Sequence, residues 1–241
     1  MLLVNLLFPL LVWLVISFTA RSGAQRLKFA LVTGCGLGVW FALVALLGNI
    51  GFFSFNPLVA PNIVLGFIVL FVLLKKVYSS PWVWRVVETI PLPWIIVVQI
   101  NRLLGLSFFN LYEQGVLPAV FAFPSGFGDI FVGATAPVVA FLYAKKLPYS
   151  RHLAIAWNLI GIADLIMALG IGILGFPRPF QVLPITPTTL PLSLYPLVLI
   201  PLFAVPLSLL LHFFSLRIIK LHPANSIHSF NTRIIKKGLE K

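Results

Sequence analysis

Acidic side chains are scarce in this chain: five Asp and Glu stand among 241 residues, against seventeen Lys and Arg. Charged residues of both signs make up 9% of the sequence and hydrophobic residues 60%. Soluble domains carry about 25% charge. With a mean hydropathy of +1.08, water is excluded as the main solvent. The single cysteine, Cys35, excludes an intramolecular disulfide and any multi-cysteine metal site. A net charge of +12 would point to nucleic acid in a soluble protein. Here the basic residues cluster at the ends of apolar runs, so they read as topology signals and nucleic acid is not an expected partner.

What fills the sequence is a series of apolar stretches. A helix needs about 20 apolar residues to cross a ~30 Å hydrocarbon core. Spans are predicted at about 2–19, 29–52, 58–74, 93–114, 119–144, 152–176 and 192–216, with 217–241 forming a basic cytoplasmic tail. The first is not read as a cleaved signal, because no Lys or Arg precedes it and Arg21, Arg26 and Lys28 follow it. In the second, Gly34-x-x-x-Gly38 offers close helix–helix approach in lipid. After the third, Ser80 suits a helix N-cap and Pro81 the first helical position of a short interfacial helix with Trp82 and Trp84. The fifth span is expected to break or kink at Pro124-Ser125-Gly126-Phe127-Gly128. The seventh carries prolines at 191, 196, 201 and 206, which make its outer half irregular.

Charge asymmetry orients the set. Segments assigned to the inside carry fifteen Lys and Arg, and segments assigned to the outside carry only Arg178. By the positive-inside rule this gives an all-α membrane protein, a seven-helix bundle with its N-terminus outside and its C-terminus cytoplasmic. Membrane lipids are the expected surroundings, and nothing in the sequence bears on oligomeric state.

The polar residues of the bundle concentrate in spans four to six. Arg102, Asp129 and Asp164 each lie near the middle of a span, and the two aspartates are the only ones in the chain. A charge at mid-membrane costs about 2.5–3.5 kcal/mol on insertion scales, so such residues are paired, face protein or water, and mark function. Gln99, Arg102, Leu106, Phe109 and Glu113 recur at α-helical spacing and predict one polar stripe on span four. Asn158 lies six residues before Asp164. The pattern Gly-x-x-Asp-aliphatic-x-x-small occurs twice, at Gly126–Gly133 and Gly161–Ala168, leaving room for a neighbouring helix beside each aspartate. The predicted substrate or proton site is therefore Arg102, Asp129, Asp164, Gln99, Asn158 and Glu113.

Three functions fit such a centre. One is a buried ion pair that sets helix packing or assembly. Another is a small transporter or ion- or proton-translocating site, since one arginine leaves one of two carboxylates uncompensated and free to take a proton, a cation or a small molecule. In that reading Asp129 carries the proton and Asp164 is the structural partner of Arg102. The third is an intramembrane enzyme acting on a lipid-soluble substrate, although no nucleophile–base set is evident: Ser125 is near Asp129, but no histidine is placed mid-span. His152 and His212 are read as residues of the inner boundary, without a metal. No catalytic residue, cofactor or metal site is assigned.

Seven spans with an outside N-terminus look like the topology of microbial rhodopsins. That family holds retinal on a lysine in its seventh span, and 192–216 has none, so a retinal pigment is excluded. The motifs Arg102-x-x-Gly105, Gly115-x-Leu117-Pro118, Gly126-x-Gly128-Asp129 and Trp157-Asn158-x-x-Gly161-x-x-Asp164 resemble a family of uncharacterised bacterial membrane proteins over about Arg102 to Gly172. The resemblance implies a bacterial inner (plasma) membrane and no particular activity.

Overall fold

The computed structural model describes residues 9–10, 12–14, 23–53, 62–177 and 181–221. Among these residues there is no strand. The helices are α1 (Gly23–Asn49), α2 (Asn62–Ser79), the short α3 (Pro81–Val87), α4 (Leu92–Glu113), α5 (Ala119–Ala144), α6 (Ser150–Leu174) and α7 (Ile200–Leu221). Six of them, all but α3, are long and apolar enough to cross a membrane. These six helices fit a multispanning membrane protein. Most of the predicted first span, 2–19, and the basic tail beyond 221 lie outside the described residues.

The outward surface is built for lipid. Val39, Leu46, Ile68 and Phe71 on α1 and α2 are all more than half exposed, a surface that in water would mark an interaction or aggregation site. The central helix is α7: 67% of its apolar window is buried, against 11% for α1 and for α2. Helix α3 starts as its sequence predicts, with Pro81 in the first turn and Ser80 Oγ accepting from the Val83 amide at 3.4 Å. Trp84 of this helix is buried against the rest of the protein. Its indole donates to Tyr78 O at 2.5 Å, and the Arg217 guanidinium lies 3.7 Å above its ring.

Two irregular segments position the site. Val98–Gly105, in the middle of α4, is wound as a 3-10 helix. Such runs rarely exceed 3–4 residues, and they eclipse side chains three apart. The buried line is therefore Gln99, Arg102, Gly105 and Phe108, at a spacing of three. This corrects the stripe predicted at α-helical spacing: Leu106 is exposed, and so is Glu113 at the helix end.

Tight winding goes with close packing. A Cβ on Gly105 would lie 2.5 Å from Asp129 Cβ, and one on Gly133 2.7 Å from Leu103 N. Helix α5 thus presses directly on the 3-10 backbone. It is itself continuous through Pro124 to Gly128, so the break predicted there is absent. A proline removes one backbone N–H, and membrane helices absorb such losses when neighbours cover the freed groups.

Helix α7 begins eight residues later than predicted. Leu190–Ser193 forms a separate 3-10 turn, Ile200–Ala204 a π turn, and the regular helix runs from Val205 to Leu221. Pro206 has no N–H to return to the carbonyl of Leu202, and Trp40 Nε1 donates to that carbonyl at 3.0 Å. Of the predicted Gly34–Gly38 contact, Gly34 alone is packed, against Trp13, while Gly38 faces open space.

Candidate functional site

Arg102 projects from the 3-10 segment into the space enclosed by α5, α6 and α7, where it is 3% exposed. Its guanidinium is shared by four acceptors. Nε donates to Asp129 Oδ1 at 2.6 Å and Nη2 to Asp164 Oδ2. Nη1 lies 3.3 Å from Gly161 O and 3.4 Å from His212 Nε2. Arg102 therefore pairs with both aspartates through different nitrogens. The guanidinium thus forks between the two carboxylates, so Asp164 is a partner of Arg102 but shares it with Asp129.

Glycines make the fork possible. A Cβ on Gly128 would fall on the Asp164 carboxylate, and one on Gly161 would lie 2.5 Å from His212 Nε2 and 3.2 Å from Arg102 Nη1. The repeated Gly-x-x-Asp pattern corresponds to these close approaches, with Gly126 against Phe109 and Gly105 O.

Behind the arginine runs a chain of hydrogen bonds. Arg102 can only donate, so His212 Nε2 is an acceptor and the ring proton sits on Nδ1. That nitrogen donates to Asn158 Oδ1 at 2.9 Å. The Asn158 amide in turn donates to Ala154 O at 2.7 Å and to Ser215 Oγ at 2.9 Å. Trp157 closes the chain from one side, its ring 5.2 Å from the imidazole and its Nε1–H on Thr135 Oγ1 at 2.9 Å. Gln99, one 3-10 turn before Arg102, ties α4 to α7 by donating to Ser208 O at 3.0 Å.

Of the six residues predicted for the site, Arg102, Asp129, Asp164 and Asn158 are brought together directly or through His212, and Gln99 lies one turn away. Glu113 is not part of it. Eleven residues beyond Arg102, it lies at least about 16 Å along the helix at 1.5 Å or more per residue. Sequence reasoning missed His212, which was assigned to the inner boundary and is 1% exposed in the centre. The signal was present: Ser208, His212 and Ser215, at offsets of four and seven, form one polar face on α7. Ser125 Oγ is buried with no hydrogen-bond partner among the described residues, so it is not joined to His212 or Asp129.

The two carboxylates differ in access. The side chain of Asp129 is 19% exposed and that of Asp164 8%. Asp129 stands where two cavities meet. One, of about 140 Å³, has Asn101, Arg102, Ser107 and Ser208 in its wall. The other, of about 50 Å³, is walled by apolar side chains such as Phe67, Phe121, Leu169 and Phe176. Asp164 Oδ1, by contrast, is fully enclosed and has no partner among the described residues.

The family described as a domain of unknown function (DUF8737) matches residues 59–220, a stretch that takes in every residue of this centre. No curated protein and no solved structure matches the chain.

Proposed function

The chain belongs to the DUF8737 family, and from that premise we propose that it is a small transporter or ion- or proton-translocating protein of the bacterial inner membrane, working through Arg102, Asp129 and Asp164. In this reading it crosses the membrane seven times with its N-terminus outside and its C-terminus in the cytoplasm, as the distribution of Lys and Arg supports.

The observation that carries the function is the unequal hold on the two carboxylates. Asp129 gives Oδ1 to Arg102 and borders a cavity, whereas Asp164 is enclosed. One guanidinium against two carboxylates leaves the centre one negative charge in excess. The neutral Nδ1–H form of His212 adds nothing to the balance. A proton or cation arriving through the cavity therefore meets Asp129 first. Neutralising Asp129 frees Arg102 Nε, yet Asp164, Gly161 O and His212 still hold the other guanidinium nitrogens. Asp129 can thus load and unload without unseating the arginine.

The test is proton movement in vesicles reconstituted with the purified full chain and a trapped pH dye. An imposed pH gradient should collapse faster with wild-type protein than with empty vesicles. Asp129→Asn should remove that difference while the protein stays folded in detergent, and Asp164→Asn should mainly lower thermal stability. Wild-type vesicles that hold the gradient as well as empty ones would overturn the proton-carrying reading.

A further inference from the structure

We infer that the cavity system beside Asp129 is a binding site for a small lipophilic ammonium ion, a deeper statement of the cation-handling reading above and resting on it. Three properties of the cavity combine to select this ligand class.

The first is charge. The ionisable groups at the centre are one guanidinium and two carboxylates, which with both carboxylates ionised leave one negative charge in excess, and Asp129 and Arg102 both border the cavity. An anion entering here would add to an existing excess of negative charge, and a cation would cancel it.

The second is hydrogen bonding. Asn101 Oδ1 is buried with no hydrogen-bond partner among the described residues, and Asn101 lines the same cavity as Asp129. Ser107, also in that wall, spends its proton on Leu104 O at 2.7 Å, so its oxygen is left to accept. An amide oxygen, a hydroxyl oxygen and a carboxylate are all acceptors, and an ammonium group brings only donors. A buried orphan acceptor is unfavourable until something donates to it.

The third is shape and polarity. The larger cavity, about 140 Å³, approaches the ~150 Å³ that suffices for benzene in an engineered apolar cavity. Phe108, Leu165, Ile200 and Val205 line both cavities, so the polar head space and the apolar arm share one wall. The arm includes Ile173 in its lining, a residue 40% exposed on the lipid-facing surface. A cation with an apolar body of about benzene size places its charge at Asp129 and Asn101 and its body across both cavities, since the arm alone, at about 50 Å³, is too small to hold it. A hydrated metal ion would leave the arm unused, and a long-chain lipid would exceed it.

The probe pair is benzylammonium and its neutral near-isostere benzyl alcohol, titrated calorimetrically into the full chain in detergent, with detergent alone as blank. Benzylammonium should bind saturably and about tenfold or more tighter than benzyl alcohol, the ratio set by a charge-assisted contact. Asp129→Asn should erase that preference, and Leu165→Trp, which fills the shared wall, should abolish binding of both. The wild-type comparison needs no variant and decides the matter even if a substituted chain misfolds. Absence of saturable benzylammonium binding, or equal affinity for the two probes, would overturn the inference. Proton movement by wild-type vesicles without amine binding would sink this inference and leave the proton-carrying reading standing. Amine binding without proton movement would do the reverse to that reading and support the site.

Discussion

Replacing Arg102 by methionine removes the one cation from a pocket that holds two carboxylates. The guanidinium donates to Asp129 Oδ1, Asp164 Oδ2 and Gly161 O and faces His212 Nε2, so four acceptors lose their donor at once. Breaking a single buried pair by deleting one partner costs about 3–5 kcal/mol, because the remaining charge stays buried without compensation. For a chain of this size each kcal/mol moves the melting midpoint by about 2–4 °C, so Arg102→Met should lower Tm by about 6–20 °C. Tryptophan-fluorescence melts in detergent measure this directly. The informative variant is the triple one, Arg102→Met with Asp129→Asn and Asp164→Asn. It removes every charge from the centre, and buried ion sets replaced by uncharged groups of similar volume are often no less stable than the original. The triple variant should therefore recover most of the loss. If it melts no higher than Arg102→Met alone, the cost was lost packing rather than uncompensated charge, and the electrostatic account of the centre fails.

Three further outcomes are expected. Gly128→Ala should destabilise the fold by about 1–3 kcal/mol, because its Cβ would meet the Asp164 carboxylate, whereas Gly170→Ala, with nothing within 4 Å, should be neutral or stabilising by up to about 1 kcal/mol; paired melts separate the two. His212→Ala leaves Asn158 Oδ1 without its donor and should cost about 2–5 kcal/mol from the cavity and the orphaned group together, and the exchange of the Asn158 side-chain amide protons should rise in nuclear magnetic resonance spectra. A reporter active only in the cytoplasm should give signal when fused after Lys146 or Lys241 and none after Pro187; the opposite result at any of these sites would break the seven-crossing topology.

Much of this centre was legible in the sequence because a mid-span charge has few places to go. Arg102, Asp129 and Asp164 stood out on cost alone, and the glycines three residues before each aspartate marked where another helix comes close. The errors share a cause: composition locates a span but not its winding or its ends. Reading α4 at 3.6 residues per turn placed Leu106 and Glu113 on the inner face, where a pitch of three puts Gly105 and Phe108. Ending the seventh span at Leu216 put His212 near the boundary, whereas the helix runs on to Leu221, with Arg217 stacked on Trp84. Proline does not break α5, whereas it makes the start of α7 irregular as expected. The difference lies in spacing: Pro124 and Pro137 stand thirteen residues apart in α5 and each costs one hydrogen bond, while the prolines five apart at 191, 196 and 201 deny the chain an uninterrupted ladder until Val205.

The winding of α4 also fixes a length and an angle together. Eight residues at about 2.0 Å of rise rather than 1.5 Å make the rod about 4 Å longer than an α-helix of the same sequence, and at 120° rather than 100° per residue they turn its far end by about 160°. The segment is in effect a screw thread locked at two points, Gly105 against Asp129 and Gly133 against the backbone of Leu103. Any adjustment of the thread shortens or lengthens the crossing and at the same stroke swings Arg102 around the axis, so the reach of this helix across the membrane and the aim of its guanidinium at the two aspartates cannot be altered separately.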